Sequence, residues 1–480
     1  MSATCANTPL DRPIVLKRQL GVWACIAMTI SPIIGSGIFI SPKGILVNVS
    51  GSVGWSLVIW ILCGVIAIAG ALSLAELSTM MKKSGGMFTY MLMAYSKLLA
   101  FLLIFGILVL IGPPANALVS LTMATYFLSP FVSSTCVEIP GSAIILLAIG
   151  VNTLIVVLNI YSVKWSYRLE IVLTSVKLLG LTMIILIGIV RLYQGHTSSF
   201  EDAFSGTLQA GNVALAFYAG MFAYSGWQLM PTVIEEIENP GRNIPIAIGS
   251  SVTLVTIVYL LTNVAYFTAL SSEQLLASPA VASDFARTTI GEWAWMVQIL
   301  VGLSCLSSTI TATFAAARTI FVSAREGLTP EILAMISIRR LTPVPAIIAL
   351  HVITLSMMAF NDVYALLNYL SFSTWLFTGI VISIVPYWRW KYPNIERPYK
   401  VPIVFPILFI VCSLFVTCLS LYSAPRDCGT GIGVLLIGVV IYFIFVYWRN
   451  KPMWFNNAVS HTTHFFQKML MVVHQEKPTY

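Results

Sequence analysis

A chain of 480 residues that is 58% hydrophobic and only 9% charged is not a set of soluble domains, which carry about 25% charged residues. Apolar runs of roughly 20 residues recur along its whole length, the signature of membrane-crossing helices. The formal net charge of +8 follows a membrane topology in its placement and gives no sign of a nucleic-acid partner.

The first nineteen residues are polar, with no short apolar core and cleavage site behind it. They read as a cytoplasmic tail, 1–19. The first apolar run, 20–48, contains "SPIIGSGIF" (Ser31–Phe39), two glycines and a serine at mid-span. Runs at 55–77 and 98–130 follow, the second too long for an upright helix, so that it has to tilt or extend past the membrane. Behind it "SSTCVEIP" places Cys136 on the expected outer face. Runs at 141–162 and 170–190 complete five, and the fifth holds Lys177. The sixth run, 211–235, carries "AYSGW" (Ala223–Trp227), again small residues at mid-helix. Six more lie at 245–269, 293–320, 344–360, 364–388, 403–422 and 430–448, before a second tail at 449–480. The longest loops expected outside are 191–210 and 270–292. With the N-terminus inside, about twenty of the 26 Lys and Arg fall on cytoplasmic segments, so both termini are expected in the cytoplasm.

The glycines of the first and sixth runs stand five spans apart. Five is odd, so the two helices cross in opposite directions. Matched interruptions in two oppositely oriented halves point to a transporter of inverted repeats, here 20–190 and 211–388, with two further helices in 403–448. Irregular backbone at membrane depth survives only where protein or a water-filled cavity satisfies it. A break at Ile34, Gly35, Ser36 and Gly37 frees amides at the positive end of a half-helix, which suit a carboxylate. A break at Phe222–Gly226 frees carbonyls, which suit an ammonium. Together they describe the invariant part of an α-amino acid. The alternative is that these glycines are small-residue contacts between packed helices.

Several motifs resemble one family. "IIGSGIFISPKG" (Ile33–Gly44), "GALSLAEL" (Gly70–Leu77), "KKSGG" (Lys82–Gly86), "FAYSGW" (Phe222–Trp227), "EEIENPGRNIP" (Glu235–Pro245) and "ERPYKVP" (Glu396–Pro402) are similar to the light subunits of heteromeric amino-acid transporters. The resemblance covers roughly 15–455. "TNVAYFTAL" (Thr262–Leu270), "LLNYLSFSTWLF" (Leu366–Phe377) and "GTGIG" (Gly429–Gly433) read closely against its cystine/glutamate exchangers. It implies an all-α polytopic membrane protein of twelve transmembrane helices. The LeuT-like fold is a five-plus-five inverted repeat followed by two more helices. It also implies sodium-independent exchange across the plasma membrane, with no enzyme activity and no cofactor.

The same resemblance assigns roles residue by residue. Cys136 matches the cysteine that bonds a single-span glycoprotein heavy chain; an internal bridge to Cys428 is the alternative. Lys177 matches a lysine whose ammonium sits where sodium-coupled relatives hold a cation; snorkelling to the cytoplasmic interface is the alternative. Phe222 fits the aromatic that closes over substrate. With Ala223, Tyr224 and Trp227 it forms the second half of the expected site, and Trp375 is a further pocket candidate. Glu235, Glu236 and Glu238 read as gate or interface groups, and His351 as hydrogen-bonded packing. Cys25, Cys63, Cys305, Cys412 and Cys418 read as packing residues.

Thr125 and Thr374 mark a departure. The cystine/glutamate exchangers have arginines at these positions, able to pair with an acidic substrate side chain. A buried carboxylate without a cation costs several kcal/mol, so the threonines point to neutral substrates, aromatic ones included. An anionic exchanger is the alternative. A channel would want a polar or charged pore ring, which is not seen. A non-transporting amino-acid sensor would keep the same broken helices.

Overall fold

The structure is a computed structural model that describes residues 21–81, 86–132, 139–229, 237–340, 342–359, 363–448 and 452–474. Among the described residues the regular elements are all helices apart from one short strand pair. Helices α1 (Val22–Ile33) and α2 (Gly37–Asn48) form one span bent by 51° at Ile34–Ser36. Pro32 in the last turn of α1 and the glycines behind it leave the helix nothing to propagate through. α3 (Val53–Met81) crosses uninterrupted. After α4 (Gly86–Ala94), α5 (Lys97–Gly106) continues through a π-helical turn, Ile107–Ile111, into α6 (Gly112–Val132). Pro113 and Pro114 lack N–H groups, and the π turn absorbs the lost register, with Gly112 N–H reaching Ile107 O. That turn accommodates the over-long third run as a single stretch, Lys97–Phe131.

α7 (Gly141–Tyr161), α8 (Val163–Tyr193) and α9 (Ala210–Ala223) follow. α10 (Pro240–Ala269) starts on proline behind Asn239, which holds φ +42°. The loop 270–292, expected outside, is not irregular. It folds into α11 (Ser272–Ala277), fixed by a Ser271/Gln274 capping box, and α12 (Val281–Ile290). Then come α13 (Ala294–Arg325), α14 (Val344–Met358), α15 (Val363–Ile382), α16 (Ile384–Lys391), α17 (Val404–Ser423) and α18 (Pro425–Tyr442). The C-terminal segment carries α19 (Met453–Leu470) and strand β2 (Val472–His474), paired antiparallel to β1 (Met335–Ser337) in the α13–α14 connection.

Among the described residues nine helices are long and apolar enough to cross a membrane, or ten with the bent pair taken as one span. α9 and α14 are apolar but shorter. The expected count of twelve is reached only by adding these two, and α9 is short because it stops at the second break.

Two of the sequence motifs meet at one ion cluster. Glu76 of α3, buried at 1% exposure, accepts from both Arg389 Nε (3.0 Å) and Nη2, and from Val401 N at 2.8 Å. Arg397 Nε lies 3.7 Å from the same carboxylate. "GALSLAEL" and "ERPYKVP" are thus the two sides of a clamp that ties the α16–α17 connection to α3. Its fork-to-carboxylate geometry satisfies the buried charges. Cys25, Cys63 and Cys305 are buried, as packing residues should be, whereas Cys418 is exposed on α17. His351 is held by Asn152 Oδ1 (2.9 Å) and Thr153 Oγ1 (3.3 Å).

Candidate functional site

The two breaks interlock. A Cβ on Gly37, the first residue of α2, would lie 2.3 Å from Ala223 Cα at the end of α9. Gly226, at φ +126°, approaches the other break as closely: its Cβ would stand 2.7 Å from the carbonyl carbon of Pro32. Only glycine permits this backbone-on-backbone contact, and at Gly226 only glycine readily adopts the conformation. The Tyr259 hydroxyl of α10 sits between the breaks, 2.7 Å from Ile33 O and 3.0 Å from Ala223 O. Tyr259 packs edge-on against Tyr224, whose own hydroxyl donates to Trp60 O at 3.0 Å.

The ends of the two half-helices differ. Ser36 stands before α2 and makes no side-chain cap bond, while its carbonyl accepts from Phe39 N (3.0 Å) and Ile40 N (3.2 Å); of the first four amides of α2, those of Gly37 and Ile38 are left for an anionic group. At the end of α9 the carbonyls are already in use. Phe222 O accepts from Ser225 N, Met221 O from Ser225 Oγ, and Ala223 O from Tyr259. A carbonyl has a second lone pair, so these acceptors can still take an ammonium proton.

Beside the breaks lies an open cavity walled by Phe222, Trp227, Thr374, Trp375 and Phe409. Trp375 stacks on Phe409 at 5.5 Å, and Trp227 meets the same ring edge-on at 6.2 Å. The described residues that line it carry no charge. Ser371, Thr378 and Trp227 also line it, and each has a buried side-chain polar atom without a protein partner.

Phe222, Trp227 and Thr374 therefore come together around the cavity. Ile34, Gly35, Ser36 and Gly37, with Ala223 and Tyr224, build the breaks but are not among its lining. Gly35 O accepts from Ser304 Oγ of α13 at 3.3 Å. Thr125, on α6, is not among the lining residues either. Both threonine hydroxyls donate back along their own helices, Thr125 to Leu121 O (3.0 Å) and Thr374 to Leu370 O (2.8 Å). Lys177 is buried, and its Nζ donates to Ser31 O at 2.6 Å, one turn before the first break. Cys136, Glu235 and Glu236 lie outside the described residues. Cys428, the alternative partner for Cys136, is buried at the start of α18. Tyr259, Ser304 and Glu170 were not singled out from sequence; of these only Glu170, an acid beside an apolar run, carried a signal that could have found it.

The amino acid permease family model matches residues 20–463. The chain is 46% identical over 470 residues to the cystine/glutamate transporter of Homo sapiens, covering 98% of this chain and 93% of that protein. It is 40% identical over 468 residues to the large neutral amino acids transporter small subunit 2 of Mus musculus, covering 97% and 88%. It is 39% identical over 467 residues to the Asc-type amino acid transporter 1 of Mus musculus, covering 96% and 88%.

Proposed function

The chain belongs to the amino acid permease family, and on that premise we propose that it is a sodium-independent exchanger of neutral amino acids, aromatic ones included. It works in the plasma membrane with both termini cytoplasmic, as the light chain of a heterodimer disulfide-linked through Cys136 to a single-span glycoprotein. Residues 20–190 and 211–388 act as the inverted repeats, and the broken helices are their paired centres. The open amides at the start of α2 take the substrate carboxylate, and the carbonyls ending α9 take its ammonium. Phe222 closes over the substrate. Lys177 supplies, on Ser31 O, the positive charge that a sodium ion provides elsewhere.

The observation that carries the substrate class is the uncharged cavity beside Phe222. An anionic side chain there would lack a cationic partner, at a cost of several kcal/mol and so of several orders of magnitude in affinity. The 46% identity to a cystine/glutamate transporter favours the second reading, an anionic substrate, and the same experiment separates the two. In proteoliposomes, uptake of labelled tyrosine should require internal amino acid and be unchanged when choline replaces sodium. Glutamate should compete poorly, and Thr125→Arg with Thr374→Arg should raise glutamate uptake at the expense of tyrosine. Glutamate competing with the unaltered protein as well as phenylalanine does would overturn the neutral assignment; accumulation into empty vesicles driven by sodium would overturn exchange.

A further inference from the structure

Lys177 is 2% exposed, and among the described residues no carboxylate oxygen forms an ion pair with its Nζ. A charge at this depth needs compensation. Glu170 provides it at one remove. It lies on α8 seven residues before Lys177, two turns along the same face. Ser307 Oγ of α13 stands 3.4 Å from Lys177 Nζ and 3.4 Å from Glu170 Oε1, so one hydroxyl joins ammonium to carboxylate. Ser31 of α1 repeats the arrangement. Its carbonyl receives Lys177 Nζ at 2.6 Å while its Oγ donates to Glu170 Oε1 at 3.0 Å. Thr311 Oγ1 donates to the other carboxylate oxygen, and Thr174 Oγ1 lies 2.8 Å from Ser31 Oγ. The hydroxyls of Ser31, Ser307 and Thr311 thus converge on one carboxyl group.

We infer that Glu170 is the counter-ion of Lys177, acting through Ser307 and Ser31, and that the pair fastens the end of α1 to α8 and α13. Glu170 is then a positioning residue for exchange: through Ser307 and Ser31 it keeps Lys177 on Ser31 O, three residues before the first break. The inference rests on the reading of Lys177 as the stand-in for a cation.

Charge and shape are separable here. Glu170→Gln keeps the length and an acceptor oxygen but loses the charge, whereas Glu170→Asp keeps the charge on a shorter arm. Exchange in proteoliposomes, normalised to reconstituted protein, should fall about tenfold or more in Glu170→Gln, the order expected for a buried lone charge. Glu170→Asp should retain clearly more. Glu170→Gln with Lys177→Gln should exchange no worse than Lys177→Gln alone, because each single variant strands one charge. The proposal is overturned if Gln outperforms Asp, if the double variant shows the product of the two single losses, or if the exchange lost by each variant merely tracks lost folded protein. Wild-type exchange in choline is measured alongside; its failure counts against sodium independence, not against the order of the Glu170 variants.

Discussion

Removing one hydroxyl should loosen both breaks at once. Tyr259→Phe deletes only the O–H between Ile33 O and Ala223 O, at a site with 0% exposure. The ring keeps its contacts with Tyr224 (5.2 Å) and Trp60 (5.5 Å), so little packing is lost. A hydroxyl has one proton, so a single bond's worth is at stake. A buried carbonyl left without a donor costs about 1–3 kcal/mol. At about 1.4 kcal/mol per decade this corresponds to roughly a 5- to 150-fold shift away from the joined arrangement. The contact is to the backbone of the breaks and not to the cavity wall, so the loss should be the same factor for every substrate. The assay is the initial rate of exchange over a concentration series of tyrosine, leucine and alanine in proteoliposomes of equal protein content. Exchange at the wild-type level, or a loss that differs tenfold between tyrosine and alanine, would refute the reasoning.

Gly226→Ala combines a side chain at φ +126° with a Cβ only 2.7 Å from the Pro32 carbonyl carbon; at about 1–3 kcal/mol for the backbone conformation alone, it should abolish exchange and lower the melting temperature of the purified protein. Gly150→Ala on α7, where an added Cβ meets nothing within 4 Å, should do neither and serves as the control. Cys136→Ser should remove a large surface-labelled complex that reductant also dissociates on non-reducing gels; its loss in Cys428→Ser instead would reassign the bond.

The breaks were legible because glycine, serine and proline at mid-span conflict with helix propensity and with the solvent at once. Two interruptions five spans apart could be paired by counting crossings. Their contact could not, since nothing in "AYSGW" says that Gly226 rests on Pro32 or Gly37 on Ala223. Tyr259 was hidden for a related reason. An aromatic in a long apolar run has no period that separates a hydroxyl aimed at two carbonyls from one that packs. Substitution type marked Thr125 beside Thr374, and of the two only Thr374 is among the described residues that line the cavity. The C-terminal segment 449–480 read as a tail, yet α19 and β2 occupy it. A three-residue strand exists only through its partner, Met335–Ser337, more than a hundred residues earlier.

The distribution of charge around the breaks separates two tasks that one pocket would otherwise mix. Every α-amino acid presents the same carboxylate and ammonium, and backbone groups at half-helix ends can meet both without an ionised side chain. Such groups have fixed positions and cannot be titrated away. On the proposed reading the cavity wall meets what varies, and its described residues are uncharged. Lys177 and Glu170 are fastened instead to Ser31, Ser307 and Thr311, which the inference above reads as the hold on α1. A change in the wall should therefore alter selectivity while leaving the common recognition intact. A change in the pair or in Tyr259 should scale transport of all substrates together.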